Sequence, residues 1–384
     1  MADDTAHGGN TTPAGLYIHI PFCRSKCPYC HFYSLTDRGA VGSFLAALAG
    51  EMAGYKDRFP VIDTIYIGGG TPSLLTSREL ETIFAALHRH FAIVPEAETT
   101  VEVNPADGDG YWFSALRGLG VNRIHLGAQS FSHQHLTFLG RRHTVRDIYG
   151  AVDLIITAGF DNFGLDLIYG LPEQSLPSWH RDIAAAVALQ PAHISAYQLA
   201  VEEDTPFMES HLRGDLVLPD EELSRRFFLD TAALLVQSGY THYEVSNFAR
   251  RPALASRHNQ KYWRHAPYLG LGPSAHSFRN GRRWWNHREL YRYLSDLADG
   301  LLPVAAGEEL GPAELRLETL FLGLRTAAGI DLQEFQDRFG EDLATTRRHL
   351  ISVLIQEGLL VRTDRQLLPT PRGMAVADGL SRCL

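Results

Sequence analysis

The stretch LYIHIPFCRSKCPYCHFYS, residues 16–34, places three of the chain's four cysteines directly behind a short β-rich run. Cys23, Cys27 and Cys30 stand in a C-x3-C-x2-C spacing on what must be a loop. With only Cys383 besides them, near the C-terminus, they make no disulfide framework and fit a reducing compartment with a metal site. Thiolates hold soft metals or iron–sulfur clusters. A structural zinc ion needs a fourth ligand, which His31 or His19 could supply. A [4Fe-4S] cluster on three thiolates keeps one iron free for an outside ligand, as open catalytic metal sites do. These residues alone leave both readings open.

Outward from this loop one rhythm repeats as far as about residue 248. "LYIHI", "TIYIGG", "TTVEVN", "NRIHLGA", "NFGLDLI", "HISAYQL" and "HYEVS" read as strands. Between them lie helical stretches such as 43–55, 77–91, 144–158 and 221–238, several opened by Ser, Thr or Asp caps. Alternating β and α runs mark βα units around a parallel sheet. Six or seven units predict an α/β fold, a partial (β/α)6-type TIM-like barrel over residues 15–249. Functional groups of such barrels gather at the C-terminal strand ends. Here one end after another delivers candidates: the cysteines, the glycines of "GGGTP" (68–72), Glu102, Gln129 and Asp166. A plain glycine turn is the alternative for residues 68–72, but a ligand-facing backbone with free amides suits their position better.

Residues 1–14 are polar and acidic, unlike a signal peptide, and predict a disordered start on a cytoplasmic protein. The net charge of -9 argues against general nucleic-acid binding. One segment differs: Arg250 to Arg292 carries ten Lys or Arg, one acid (Glu289), seven aromatics and four histidines. Residues 250–299 therefore read as a basic aromatic linker suited to something flat and anionic. Residues 300–384 turn helical and end in a hairpin pattern, which predicts a winged-helix-like C-terminal domain covering the barrel mouth.

"CRSKCPYC" is similar to the signature of radical S-adenosylmethionine (SAM) enzymes, and the barrel pattern agrees. The resemblance implies a [4Fe-4S] cluster on Cys23, Cys27 and Cys30, with SAM held by the open iron and cleaved to a radical by electron transfer. From Leu16 onward the chain also resembles the subgroup of coproporphyrinogen dehydrogenases and heme chaperones. By that resemblance Tyr17, Tyr29, Gly69, Gly70, Thr71, Glu102, Gln129, Arg141, Asp166 and Ala200 contact SAM, Glu102 in the way that acids hold ribose hydroxyls elsewhere. Read alone, Arg141 is one of three adjacent basic residues on a solvated loop. No catalytic residue is assigned.

The subgroup divides two residues after the third cysteine. The dehydrogenase branch has a further cysteine there and a longer N-terminal extension, whereas this chain has Phe32 and a short start. His31 replaces the Asp usual in the chaperone branch and could compete as a ligand. "RHNQKYW", residues 257–263, matches an HNxxYW pattern associated with heme in that branch. The resemblance implies heme at His258, Asn259, Tyr262 and Trp263, with arginines on the propionates and His265, His276 or His287 as second ligands. The implied function is a heme chaperone that hands heme to hemoproteins, respiratory ones included, with at most peripheral membrane contact and room for a homodimer. The alternatives are oxidative decarboxylation of coproporphyrinogen III to protoporphyrinogen IX and, more distantly, RNA modification, which the acidic balance of the remaining chain opposes.

Overall fold

Six strands run parallel and neighbour one another in chain order: β1 (Ala14–Ile20), β2 (Val61–Gly69), β3 (Ala92–Val103), β4 (Arg123–Gln129), β5 (Phe163–Tyr169) and β6 (His193–Gln198). The computed structural model describes residues 12–384. Most of the start expected to be disordered lies outside these residues, but Ala14 corrects its boundary, being the buried first residue of β1.

Successive side chains of a strand point to opposite faces, and the sequence uses that period throughout. Leu16, Ile18, Ile65, Ile67, Val101, Ile124, Leu165 and Ile194 lie on one face and join a single apolar core with the outer helices. The residues between them, Tyr17, Tyr66, Glu102, His125 and Asp166, turn inside. The expected helices are present at Val41–Tyr55, Ser77–His90, Val145–Thr157 and Glu221–Gln237. Two of them begin with reciprocal capping boxes, Thr76 with Glu79 and Thr144 with Asp147.

Three boundaries differ from expectation. "HYEVS" is no seventh barrel strand. It supplies β7 (Thr241–Glu244), and β8 (Asn247–Ala249) returns antiparallel between β7 and β6. Two intervening residues permit only a hairpin, since a parallel neighbour needs a long crossover.

The basic segment is no linker either. Its strand β9 (Tyr268–Leu271) pairs parallel with β1, and β10 (His276–Arg279), β11 (Arg282–Asn286) and β12 (Val304–Glu309) extend the same sheet antiparallel to 12 strands. Residues 300–309 thus belong to the barrel unit. Beyond them β13 (Ile330–Asp331), β14 (Leu360–Arg362) and β15 (Gln366–Pro369) form a small sheet, with helices Pro312–Gly323, Leu332–Phe339 and Arg348–Gln356. This winged-helix-like unit has its own core around Leu320, Leu324, Phe335 and Ile351.

The C-terminal unit leaves the mouth uncovered. It docks on the β7 edge, where Val245 N donates to Arg325 O at 2.8 Å and Ala327 N to Tyr243 O at 3.0 Å. Glu318 receives His265 and Arg283 from the basic segment at 3.0 and 2.8 Å. No residue beyond Glu202 lines the mouth cavity. The β7 edge offers unpaired backbone groups, and the basic segment offers partners to Glu318.

Candidate functional site

The cysteine loop is clipped to the end of β1. Cys23 N donates to Leu35 O at 2.9 Å and Leu35 N to Pro21 O at 2.8 Å. At the end of β2 the amides of Gly70 and Thr71 donate to Ile20 O and Phe22 O, both at 2.8 Å. A β-carbon on Gly70 would stand 2.6 and 2.7 Å from the carbonyl oxygens of Phe22 and Ile20, so only glycine fits there. The glycines therefore bring the strand end against the cysteine loop, and two of the amides expected to serve a ligand are spent on that contact.

Cys23, Cys27 and Cys30 share a cavity of about 60 Å³ with Arg24, Lys26, Arg141 and Arg142. Thr71 Oγ1 donates to Cys23 Sγ at 3.3 Å and Arg141 Nη1 to Cys27 Sγ at 3.6 Å. Burial pushes the Cys30 thiol up, and Cys27 and Cys23 add to it, since neighbouring thiolates repel unless a cation sits between them. Among the described residues no three His, Cys, Asp or Glu side chains group as ligands of one ion. A mononuclear site draws its ligands onto one centre, whereas in a cluster each thiolate takes its own iron. Three thiols that ring a cationic cavity suit a cluster, whose thiolates those cations would balance. The two histidines weighed as a fourth ligand are engaged elsewhere. His31 Nδ1 meets Glu203 O at 3.0 Å, and His19 meets Tyr33 O at 2.7 Å and Tyr17 Oη at 3.1 Å.

Beside the thiols opens a cavity of about 600 Å³, the barrel mouth. Tyr29, Gly69, Gly70, Thr71, Glu102, Gln129, Arg141, Asp166 and Ala200 all line it, whereas Tyr17 lies deeper in the wall, beside Tyr66. Arg141 is no solvated bystander: it donates to Gly127 O at 3.1 Å and to Tyr29 Oη at 3.4 Å, bridging the thiols and the mouth. Gln129 ends β4 in left-handed backbone, at φ 66, which aims its amide into the cavity at some strain. Burial pushes Glu102 up to about 7, with Asp166 adding to the rise, while Tyr66 Oη donates to Glu102 Oε1 at 2.8 Å.

Strand-end reasoning did not find Tyr66, His125 and Tyr197, which also line the mouth. For Tyr66 and His125 the signal was strand period, since they share the parity of Gly68 and Gln129 on their strands; Tyr197 shares the parity of no residue found on β6. His125 Nδ1 meets Asp166 Oδ1 at 3.3 Å while its Nε2 accepts from Arg123 Nε at 3.3 Å, so it orients the carboxylate.

The HNxxYW helix, Arg257–Trp263, closes the opposite end of the barrel. A β-carbon at Gly15 would stand 2.8 Å from Lys261 Cδ, so the glycine admits this helix to the floor. His258 is 1% exposed, with Nδ1 2.9 Å from Thr64 Oγ1 and Nε2 2.8 Å from Tyr262 Oη. Burial lowers it to about 3. Both ring nitrogens are thus taken, and ligation of heme iron by His258 requires one of these hydrogen bonds to break. Asn259 N donates to the Ser256 cap at 3.2 Å. Among the other histidines of the segment, His287 pairs with Asp296 at 3.2 Å and His276 stacks on Trp285.

Sequence comparison matches residues 17–184 to the radical SAM superfamily and residues 310–376 to the HemN C-terminal domain. The heme chaperone HemW of Synechocystis sp. is 40% identical, the match covering 83% of this chain and 79% of the relative. That of Mycobacterium tuberculosis is 36% identical over 97% and 95% of the two chains. Coproporphyrinogen III oxidase (HemN) from Escherichia coli shares the fold, with a TM-score of 0.83 over 97% of this chain and 90% of that one, at 22% identity. Radical SAM proteins carry a [4Fe-4S] cluster and SAM, and the thiol cavity and mouth described above suit both. This chain belongs to the radical SAM superfamily and, within it, to the HemW family.

Proposed function

We propose that this protein is a heme chaperone: in addition to a cluster and SAM it binds heme, and it passes the heme to hemoproteins. The observation that carries the reading is the match to the M. tuberculosis heme chaperone, which spans 97% of the chain and so takes in the basic aromatic segment as well as the barrel. Phe32, 63% exposed at the mouth where the dehydrogenase branch would have a cysteine, supports the same choice.

In this reading Cys23, Cys27 and Cys30 hold the cluster, and the cluster supplies one-electron chemistry toward SAM. Thr71 and Arg141 donate to two of the sulfurs and so favour thiolate over thiol. Glu102, Asp166 and Gln129 offer acceptors to a nucleoside, and Tyr29 an aromatic wall. His125 keeps Asp166 oriented. Glu102 retains its proton up to about pH 7, so it can donate or accept at the mouth under neutral conditions.

The test is an anaerobic hemin titration of reconstituted protein, followed by mixing with an apo-hemoprotein. Saturable binding with a Soret band that moves to the acceptor supports the chaperone. Turnover of coproporphyrinogen III to protoporphyrinogen IX by the same preparation would overturn it. Replacing any one of the three cysteines by Ala is expected to remove iron and the broad absorbance of thiolate-to-iron charge transfer. Retained zinc without iron would contradict the cluster assignment.

A further inference from the structure

The HNxxYW helix divides its side chains between two places. His258 and Tyr262, one turn apart, face the barrel interior, where the His258 ring also stacks on Tyr66 with centroids 5.4 Å apart. Neither nitrogen is free and no ring edge is open to a macrocycle. Trp263 lies outside that plug. With Gln260, Arg264 and His265 it lines a cavity of about 560 Å³ between the barrel floor and the C-terminal unit, well within the range of cofactor sites. The opposite wall is Phe335, Phe339 and Arg338 with the turn at Ala328.

We infer that this crevice, rather than the floor around His258, is the seat for heme, a flat apolar macrocycle with two carboxylates. The inference rests on the heme-chaperone reading and adds where the cargo sits. Three features carry it. Trp263, Phe335 and Phe339 give a narrow space aromatic walls from both units. Two exposed guanidiniums stand at its rim: Arg264 donates to the neutral amide of Gln260 at 2.8 Å, and Arg338 lies over the Phe339 ring, 5.2 Å from its centroid. Both therefore keep a charge for a propionate. Finally, Trp263 Nε1 is buried with no hydrogen-bond partner, a donor that a carboxylate would satisfy.

The acids on the walls do not cancel this charge pattern. Asp331 is paired with Arg365 at 2.7 Å, burial pushes Glu244 up to about 7, and Glu334 is exposed to solvent. His265 is the imidazole the crevice offers to iron. Its Nε2 is 3.0 Å from Glu318 Oε2, a carboxylate–imidazole pair of the kind that orients metal-binding histidines. Because the walls belong to different units, a small separation of the C-terminal unit would open the slot, which suits a cargo that must leave.

The experiment is an anaerobic hemin titration of the full, cluster-loaded chain in four forms: wild type, Ala328→Trp, Arg338→Glu and His258→Gln. Ala328 and Arg338 are exposed, so neither substitution disturbs a core; thermal midpoint and cluster absorbance verify this. The expected result is a hemin Kd raised at least about tenfold by Ala328→Trp, which fills the slot, and by Arg338→Glu, which reverses a rim charge. His258→Gln should stay within about threefold of wild type. Unchanged affinity in both crevice variants overturns the assignment, whether or not His258→Gln folds. Failure of wild type to bind hemin at all is a different outcome: it removes the chaperone reading and the crevice with it.

Discussion

The two ends of the barrel are built from the same residue types and do opposite things. At the mouth Glu102, Asp166, Gln129 and Arg141 face a cavity of about 600 Å³. At the floor Glu98, Arg123, His193 and His258 are buried and bonded to the closing helix or to neighbouring segments: Arg123 Nη1 reaches Leu254 O at 2.8 Å, His193 Nε2 reaches Tyr243 Oη of β7 at 2.8 Å and Glu98 Oε1 accepts from His258 N at 3.0 Å. Polarity inside a barrel therefore does not by itself mark a site. What marks it is whether the polar groups open on a cavity, as at the mouth, or are closed off inside the fold, as at the floor.

The contrast is tested most severely at Arg123, which is 0% exposed and faces Glu98 at 3.5 Å. Arg123→Ala strands a buried carboxylate and should cost about 3–5 kcal/mol in denaturant unfolding. A loss below about 1 kcal/mol would mean that the floor is not the closed network described. Next comes Gly70→Ala, where the new β-carbon meets two carbonyl oxygens. It should cost about 1–3 kcal/mol and lower the iron content by shifting the cysteine loop. Normal stability and full iron loading would contradict the role given to that glycine.

The ends should also respond oppositely to pH. Glu102 is raised from 4.5 to about 7, so the folded chain binds the extra proton and this contribution to stability fades as pH rises from about 4.5 through 7. His258 is lowered from 6.5 to about 3, so its contribution is complete above about 6.5 and is lost as pH falls toward 3. Unfolding curves of SAM-free Glu102→Gln should show a relative gain at pH 8 over pH 5 on the order of 1–3 kcal/mol. A pH-independent difference would place Glu102 in a more solvated setting. The smallest stability effect is expected for Asp166→Asn at the mouth, within about 1 kcal/mol of wild type, with SAM affinity nevertheless reduced about tenfold. A large stability loss there would make Asp166 a structural residue like those of the floor.

How much of this was legible beforehand differs between the ends. The glycines of residues 68–72, Glu102, Gln129 and Asp166 announced themselves at strand ends, and Cys23, Cys27 and Cys30 by spacing, because such local signals survive without knowing the neighbours; Tyr29, Arg141 and Ala200 came only through the family resemblance. Tyr66 and His125 were legible in principle, from the two-residue period counted back from Gly68 and Gln129 on the same strands. His258 was not, because a histidine beside aromatics reads alike whether it waits for iron or plugs a barrel.

By itself the sequence determined the run of parallel βα units, six or seven of them, with their helices and caps, the thiol loop and the order in which strand ends carry polar groups, since all of these depend on periodicity and short-range spacing. Tertiary structure alone decided that Asn247–Ala249 turns back to end the barrel, that Tyr268–Leu271 joins β1 across some 250 residues, and that the C-terminal unit docks at the floor and leaves the mouth open. These are contacts between segments remote in the chain. Edge hydrogen bonds and buried surface select among such contacts only once the whole sheet has formed.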